Sequence, residues 1–210
     1  MKITIIVLVS LVLVWIVVTW FFIRNIEEPK YTLVSKEDGY EIRDYESYII
    51  AETTVSGSYR DSLGKGFQNI ADYIFGNNTK SQKIAMTAPV IESESQDLSE
   101  KIAMTVPVIS EGDSKERRIS FVMPSKYTLE TLPKPNTDLV TLREVTARKV
   151  AVLRYTWYAN EKKVEDKKKK LIEMLNKDGV EIVGQFSSAQ YNPPLSIPFL
   201  RRNEVLVDIK

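Results

Sequence analysis

The 210-residue chain contains no cysteine and no histidine. Without cysteine there are no disulfides, no thiolate metal sites and no thiol nucleophile. Without histidine, Ser-His-Asp and Cys-His catalysis and the usual zinc sites are excluded. A metal site would have to be built from carboxylates alone, and there is no Asp-x-Asp-x-Asp loop to build one. An excess of either charge is also missing: 29 basic residues face 28 acidic ones, and 26 face 26 once residues 1–30 are set aside. Such a balance carries no electrostatic footprint for nucleic acid.

What the chain does have is ordinary globular usage, with 43% apolar and 27% charged residues. Its one long hydrophobic run is residues 3–23, which carry no charge over 21 positions. As a helix this run would span roughly 30 Å, the thickness of a hydrocarbon core. Trp20, Phe21 and Phe22 close it like an aromatic belt, and Lys2 and Arg24 bracket it. It is longer than a signal-peptide core and no small-x-small cleavage site follows. The expectation is therefore a single-pass, N-terminal membrane anchor contacting the bilayer through residues 3–23, with the N-terminus inside. The chain then divides into an anchor (1–24), a polar linker with one extended piece (25–39) and one compact domain (40–210).

Two internal repeats organise that domain. Residues 83–91 (KIAMTAPVI) recur as 101–109 (KIAMTVPVI), identical at eight of nine positions. Each copy is strand-like and interrupted by a proline, so the pair reads as an antiparallel hairpin around a polar loop; local duplication accounts for the identity. The second repeat is fainter and has an offset of 100: Glu41-Ile42-Arg43-Asp44 matches Thr141-Leu142-Arg143-Glu144, and Ile50-Ala51 matches Val150-Ala151. Each copy runs on as strand, then helix. Leu63, Phe67, Ile70 and Ile74 share one face of a helix over 59–75, stopped by Gly76-Asn77-Asn78. Val164, Leu171 and Leu175 share a face over 161–177, with Asn160 as N-cap and Gly179 beyond the C-terminus. Further strands are predicted over 84–91, 102–109, 117–123, 180–187 and 203–209. The predicted class is α+β: two pseudo-repeated βαββ-like halves forming a distorted antiparallel barrel or sheet with two helices, plus the transmembrane helix.

The lysine run 167–170 reads as a solvated helix face, with Glu165–Lys169 and Asp166–Lys170 as i,i+4 pairs. Met86, Met104 and Met123 each sit in a predicted strand near a proline and suit a soft apolar environment, with a core role favoured. Tyr40, Tyr45, Tyr48, Tyr59 and Tyr73 cluster around the first strand and helix, as half-buried packing or a pocket rim.

Residues 83–90 (KIAMTAPV), 121–135 (FVMPSKYTLETLPKP), 191–194 (YNPP) and 198–205 (PFLRRNEV) together resemble the SOUL haem-binding protein family. The resemblance runs from about Tyr40 to Lys210. It implies a barrel of two βαββ-like halves with two helices. It also implies reversible, non-covalent binding of haem or another tetrapyrrole in an apolar cleft beside the first helix, which here bears Phe67, Ile70, Ala71 and Ile74. We place Met86 in the same pocket. The family's proposed histidine ligand has no counterpart here, so an iron ligand would have to be Tyr, Met or Lys, with Tyr59 and Tyr73 the tyrosines nearest that helix. Arg60 and Lys65 are candidate propionate partners. The expected role is binding rather than catalysis. The alternative is an effector-type or hydrolase module holding another amphipathic small molecule in the same cleft, which a carboxylate in the cleft would favour; Glu41 and Glu52 are the strand candidates. A third reading is a protein-interaction domain with a degenerate cleft.

Overall fold

The computed structural model describes residues 2–7, 10, 15–16, 26–94, 116–193 and 196–210. Among these residues the elements run β1 (Tyr31–Lys36), β2 (Glu41–Tyr45), β3 (Tyr48–Ser56), α1 (Tyr59–Ile74), β4 (Val90–Glu94), β5 (Glu116–Val122), β6 (Thr141–Val145), β7 (Arg148–Tyr155), α2 (Glu161–Lys177), β8 (Ile182–Gln190), a 3-10 turn (Pro198–Leu200) and β9 (Asn203–Ile209). The nine strands form one antiparallel sheet, ordered β1-β2-β7-β9-β8-β4-β5-β3-β6 and curled into a half-barrel.

Two expectations about architecture are corrected. No helix among the described residues is long and apolar enough to cross a membrane; helical backbone before residue 26 is described only at 2–7, 10 and 15–16. For a helical crossing an uncharged run is not sufficient: about 20 residues must stay in unbroken helix so that every backbone polar group is satisfied internally. The single-pass anchor and the localisation drawn from it fall with that finding. Second, the sheet is an open half-barrel whose halves are each ββαββ, and its edges are β1 and β6. The extended piece within residues 25–39 is β1, which pairs with β2.

The halves exchange their first strands. β2 pairs with β7 (Glu41 opposite Val152, Tyr45 opposite Arg148), and β6 pairs with β3 (Thr141 opposite Glu52, Val145 opposite Tyr48). Shifted by 100 residues, the two registers are the same, which is the structural counterpart of the longer repeat. The halves then meet along β4 and β8, where Glu92 lies opposite Ser188. The first copy of the short repeat is a strand only from Val90 onward, after Pro89, which has no N–H for a ladder; the second copy, with Met104, lies outside the described residues.

Both helices lie on one face of the sheet. Along β7, Ala151, Leu153 and Tyr155 face the α2 cluster of Val164, Leu171 and Leu175, while Val150 and Val152 face a separate cluster on the other side. Helix α1 packs Ile70, Tyr73 and Ile74 against Ala51, Ile119 and Phe121. Tyr59 joins the α2 cluster, and Leu63 touches both, so α1 bridges the two cores. Asn160 caps α2 by accepting from Lys163 N at 2.9 Å, and Ser58 caps α1 by accepting from Asp61 N. The α2 charges pair as Lys162–Asp166 and Lys168–Glu165, not in the register expected from the sequence.

Candidate functional site

Helix α1 presents three surfaces. Ile70, Tyr73 and Ile74 are fully buried, with Tyr59 and Ala71 nearly so, and Gly66 rests directly on Ile119. These residues form the core and are closed to a ligand. On one flank Asn69 Nδ2 donates to Thr53 Oγ1 on β3 at 3.1 Å. The opposite flank looks across β5 toward β4, because β4 and β3 lie on either side of β5. That flank carries Arg60, Gly64, Phe67, Ala71 and Phe75.

Of the residues expected at the site, Phe67 and Met86 keep open apolar surface, at 37% and 42% exposure, and Phe75, which the sequence reading passed over, is 58% exposed. The Phe67 ring leans on Phe121, with centroids 5.3 Å apart. Met86 is not in a strand. It lies in a segment fastened at both ends: Ile84 N donates to Ile74 O at 2.8 Å, and Val90 pairs with Phe121, the residue on which the Phe67 ring leans. Arg60 and Lys65 are both exposed. At 100° per residue Arg60 lies about 20° from Phe67 around the helix, whereas Lys65 lies about 160° away on the Asn69 side. The fold therefore brings Arg60 to the Phe67 flank and turns Lys65 from it.

Toward the N-terminus of α1 a buried polar cluster lies between the helices. Arg117 of β5 donates from Nη1 to Glu92 at 2.8 Å and from Nη2 to Glu161, on the first turn of α2, at 2.5 Å. Its guanidinium stacks 5.3 Å from the Tyr59 ring centroid. Ser188 Oγ donates to the other Glu92 oxygen at 3.0 Å. Burial works against the arginine charge, but the Glu92 and Glu161 carboxylates outweigh it and raise the guanidinium pKa. The cavity here is only about 20 Å³. No local pattern in the sequence announces this cluster; it is assembled by the β4–β5 and β4–β8 pairings. Glu92 is thus a compensated carboxylate. Of the two strand candidates, Glu52 is held by Arg143 at 3.1 Å and Glu41 bonds to Arg43.

Both tyrosines considered for iron ligation are buried. Burial, with the Glu92 charge second, pushes the Tyr59 hydroxyl up to about 12. Burial also raises Tyr73 to about 12, and its hydroxyl donates to Pro133 O at 2.8 Å. Met86 is exposed and supplies an accessible thioether. Among the described residues no group of three or more acidic side chains is placed to hold a metal ion.

Comparison with known proteins bears on this geometry. The chain is 28% identical to Heme-binding protein 1 of Xenopus laevis over 188 residues, covering 86% of this chain and 91% of that protein. Among solved structures it is similar to the C-terminal domain of EcmrR (TM-score 0.57, 9% identity, 86% of this chain and 98% of that one). It is also similar to a hydrolase from Listeria innocua (TM-score 0.54, 8% identity, 84% and 94%). At such identities these two structures establish a shared fold alone. The description "SOUL heme-binding protein" matches residues 26–208, so the likeness includes β1 and begins before the repeats. The chain belongs to the SOUL heme-binding protein family.

Proposed function

We propose that this protein binds haem or a related tetrapyrrole non-covalently, along the flank of α1 that carries Phe67, with Met86 and Phe75 as further apolar contacts and Arg60 pairing a propionate. The observation that carries the reading is this half-open apolar flank, on a helix whose other apolar residues pack into the core, in a member of a heme-binding family. Ile70, Ala71 and Ile74 support the site from behind. Lys65 drops out of the proposed contact set because of its position around the helix.

Burying apolar ring surface contributes ~25 cal/mol per Å² and needs no iron bond. Association entropy offsets several kcal/mol of that, so binding of about micromolar strength is expected. With Tyr59 and Tyr73 both packed into the core, no tyrosine is expected to reach the iron, and metal-free protoporphyrin should bind within about tenfold of hemin. Paired absorbance and fluorescence titrations test this. Phe67→Ala should weaken both porphyrins by about tenfold or more, a larger free-energy loss than its cost to the fold in thermal unfolding. Equal affinity in Phe67→Ala would remove the flank from the site. A large preference for hemin, lost in Met86→Leu, would replace the unligated pocket with thioether ligation. The effector or hydrolase reading needs an uncompensated carboxylate in the cleft, and Glu92, held by Arg117 and Ser188, gives it no support.

A further inference from the structure

The β2–β3 turn, residues 26–30 and the stretch 122–130 after β5 enclose a cavity of about 390 Å³, lined from the helix side of the sheet by Ile49 and Met123 and from the other side by Tyr48 and Val122. That is within the range of small-molecule sites, roughly 300–1,000 Å³. It contains none of the residues of the α1 flank. Its apolar lining is Ile49, Val122, Met123 and Leu129, with the rings of Tyr48 and Tyr127. Both rings are fixed through their hydroxyls: Arg148 Nη2 donates to Tyr48 at 2.9 Å, and Gln82 Nε2 donates to Tyr127 at 3.2 Å.

The charge around this cavity is one-sided. Glu27, Glu28, Glu46, Glu130 and Glu144 line it, and Lys30 is the single basic side chain among the described lining residues. Composition does not explain this, because acidic and basic residues nearly balance over the chain. Arg202 neutralises Glu28 at 2.8 Å, and Glu27 accepts from Ser125 N at 2.7 Å. Among the described residues Glu27, Glu46, Glu130 and Glu144 have no ion-pair partner. The carboxylates surround the cavity without converging: no acidic triad is placed to chelate a metal ion among the described residues. The Tyr127 ring already carries Lys126 Nζ 5.0 Å from its centroid, which leaves Tyr48 as the aromatic lining for a further cation. Dispersed negative charge over such a lining suits a diffuse organic cation, which gains from cation–π contact as well as from charge.

We propose that this cavity is a second binding site, which takes an organic monocation with an aromatic or branched apolar body, such as a substituted ammonium. The site is independent of the tetrapyrrole flank. The test is calorimetric titration of the full chain with benzyltriethylammonium, with 4-phenylbutyrate as the anion of similar body. The cation should bind and the anion should not, and added salt should weaken the cation. The double variant Glu46→Gln/Glu144→Gln should weaken the cation about fivefold or more, as expected for removing partly exposed charge contacts. Both side chains are exposed and unpaired, so the fold should be kept, which an unchanged melting temperature would confirm. Glu130→Gln gives an independent reading in the same direction. Hemin affinity should be the same in all these variants, so failure here and failure at the α1 flank are separable. Absence of cation binding at millimolar concentration, equal binding of the anion, or unchanged affinity in both variants would overturn the proposal.

Discussion

Glu204 is fully buried and is held by two arginines. Arg43, 2% exposed, reaches it at 3.1 Å, Arg202 at 2.8 Å, and Tyr191 donates to it at 2.7 Å. Burial alone would raise the Glu204 carboxyl, but the charges of Arg202 and Arg43 outweigh it and hold the pKa below the ordinary value of 4.5. A carboxylate depressed on folding adds stability above its unfolded value, and that stability is lost as pH falls through the folded value. Urea unfolding of the wild type should therefore weaken steadily below about pH 4.5. Glu204→Gln should cost about 3–5 kcal/mol at pH 7, because it leaves buried cationic charge uncompensated, and should show a shallower acid loss. A variant with wild-type stability at pH 7 would refute this account. At the same scale, Ile74→Ala should cost about 2–5 kcal/mol, since Ile74 is core. The apolar spacing in the sequence marked Phe67 and Ile74 alike; only packing separates the residue that fills the core from the one that stays open.

Helix α1 carries two glycines with opposite roles. A Cβ at Gly66 would stand 2.4 Å from Ile119 Cγ1, so this residue sets how closely the helix approaches β5. A Cβ at Gly64 would meet nothing within 4 Å. Gly64→Ala should stabilise the protein by up to ~1 kcal/mol through helix propensity. Gly66→Ala should destabilise it by about 1–3 kcal/mol net of that gain, because overpacking pushes the helix off the sheet. Thermal melts of the two variants should shift in opposite directions, and shifts of the same sign would contradict the close approach. Both helices were legible as elements because period and caps are local: Asn160, for example, caps the helix that the spacing of Val164, Leu171 and Leu175 predicts. The strand expected over 84–91 begins only at Val90, because residues 84–88 are held by single bonds rather than by a ladder: Ile84 N donates to Ile74 O, the Thr87 hydroxyl to Val122 O and Ala88 N to Glu27 O.

Across the whole molecule, the exchange of β2 and β6 makes each half incomplete without the other. Neither ββαββ unit can close its own sheet, so urea unfolding of the full chain should be one transition, with near-UV and far-UV circular dichroism coinciding. A fragment of residues 26–139 should lack cooperative unfolding, and a folded fragment would contradict the interdependence of the halves. The sequence by itself determined what depends on composition and on neighbours along the chain. It excluded histidine and thiolate chemistry, set the two helices and their caps, and carried the offset-100 repeat together with the motifs that place the chain in its family. Tertiary structure alone decided which strands pair, that the sheet stays an open half-barrel and which flank of α1 remains accessible. It also assembled Glu92, Arg117 and Ser188 from three strands, and enclosed the acidic cavity with segments that are far apart along the chain. The physical reason is range. Periodicity and capping act within a few residues, whereas strand partners, burial and the compensation of a buried charge are settled only when distant segments meet.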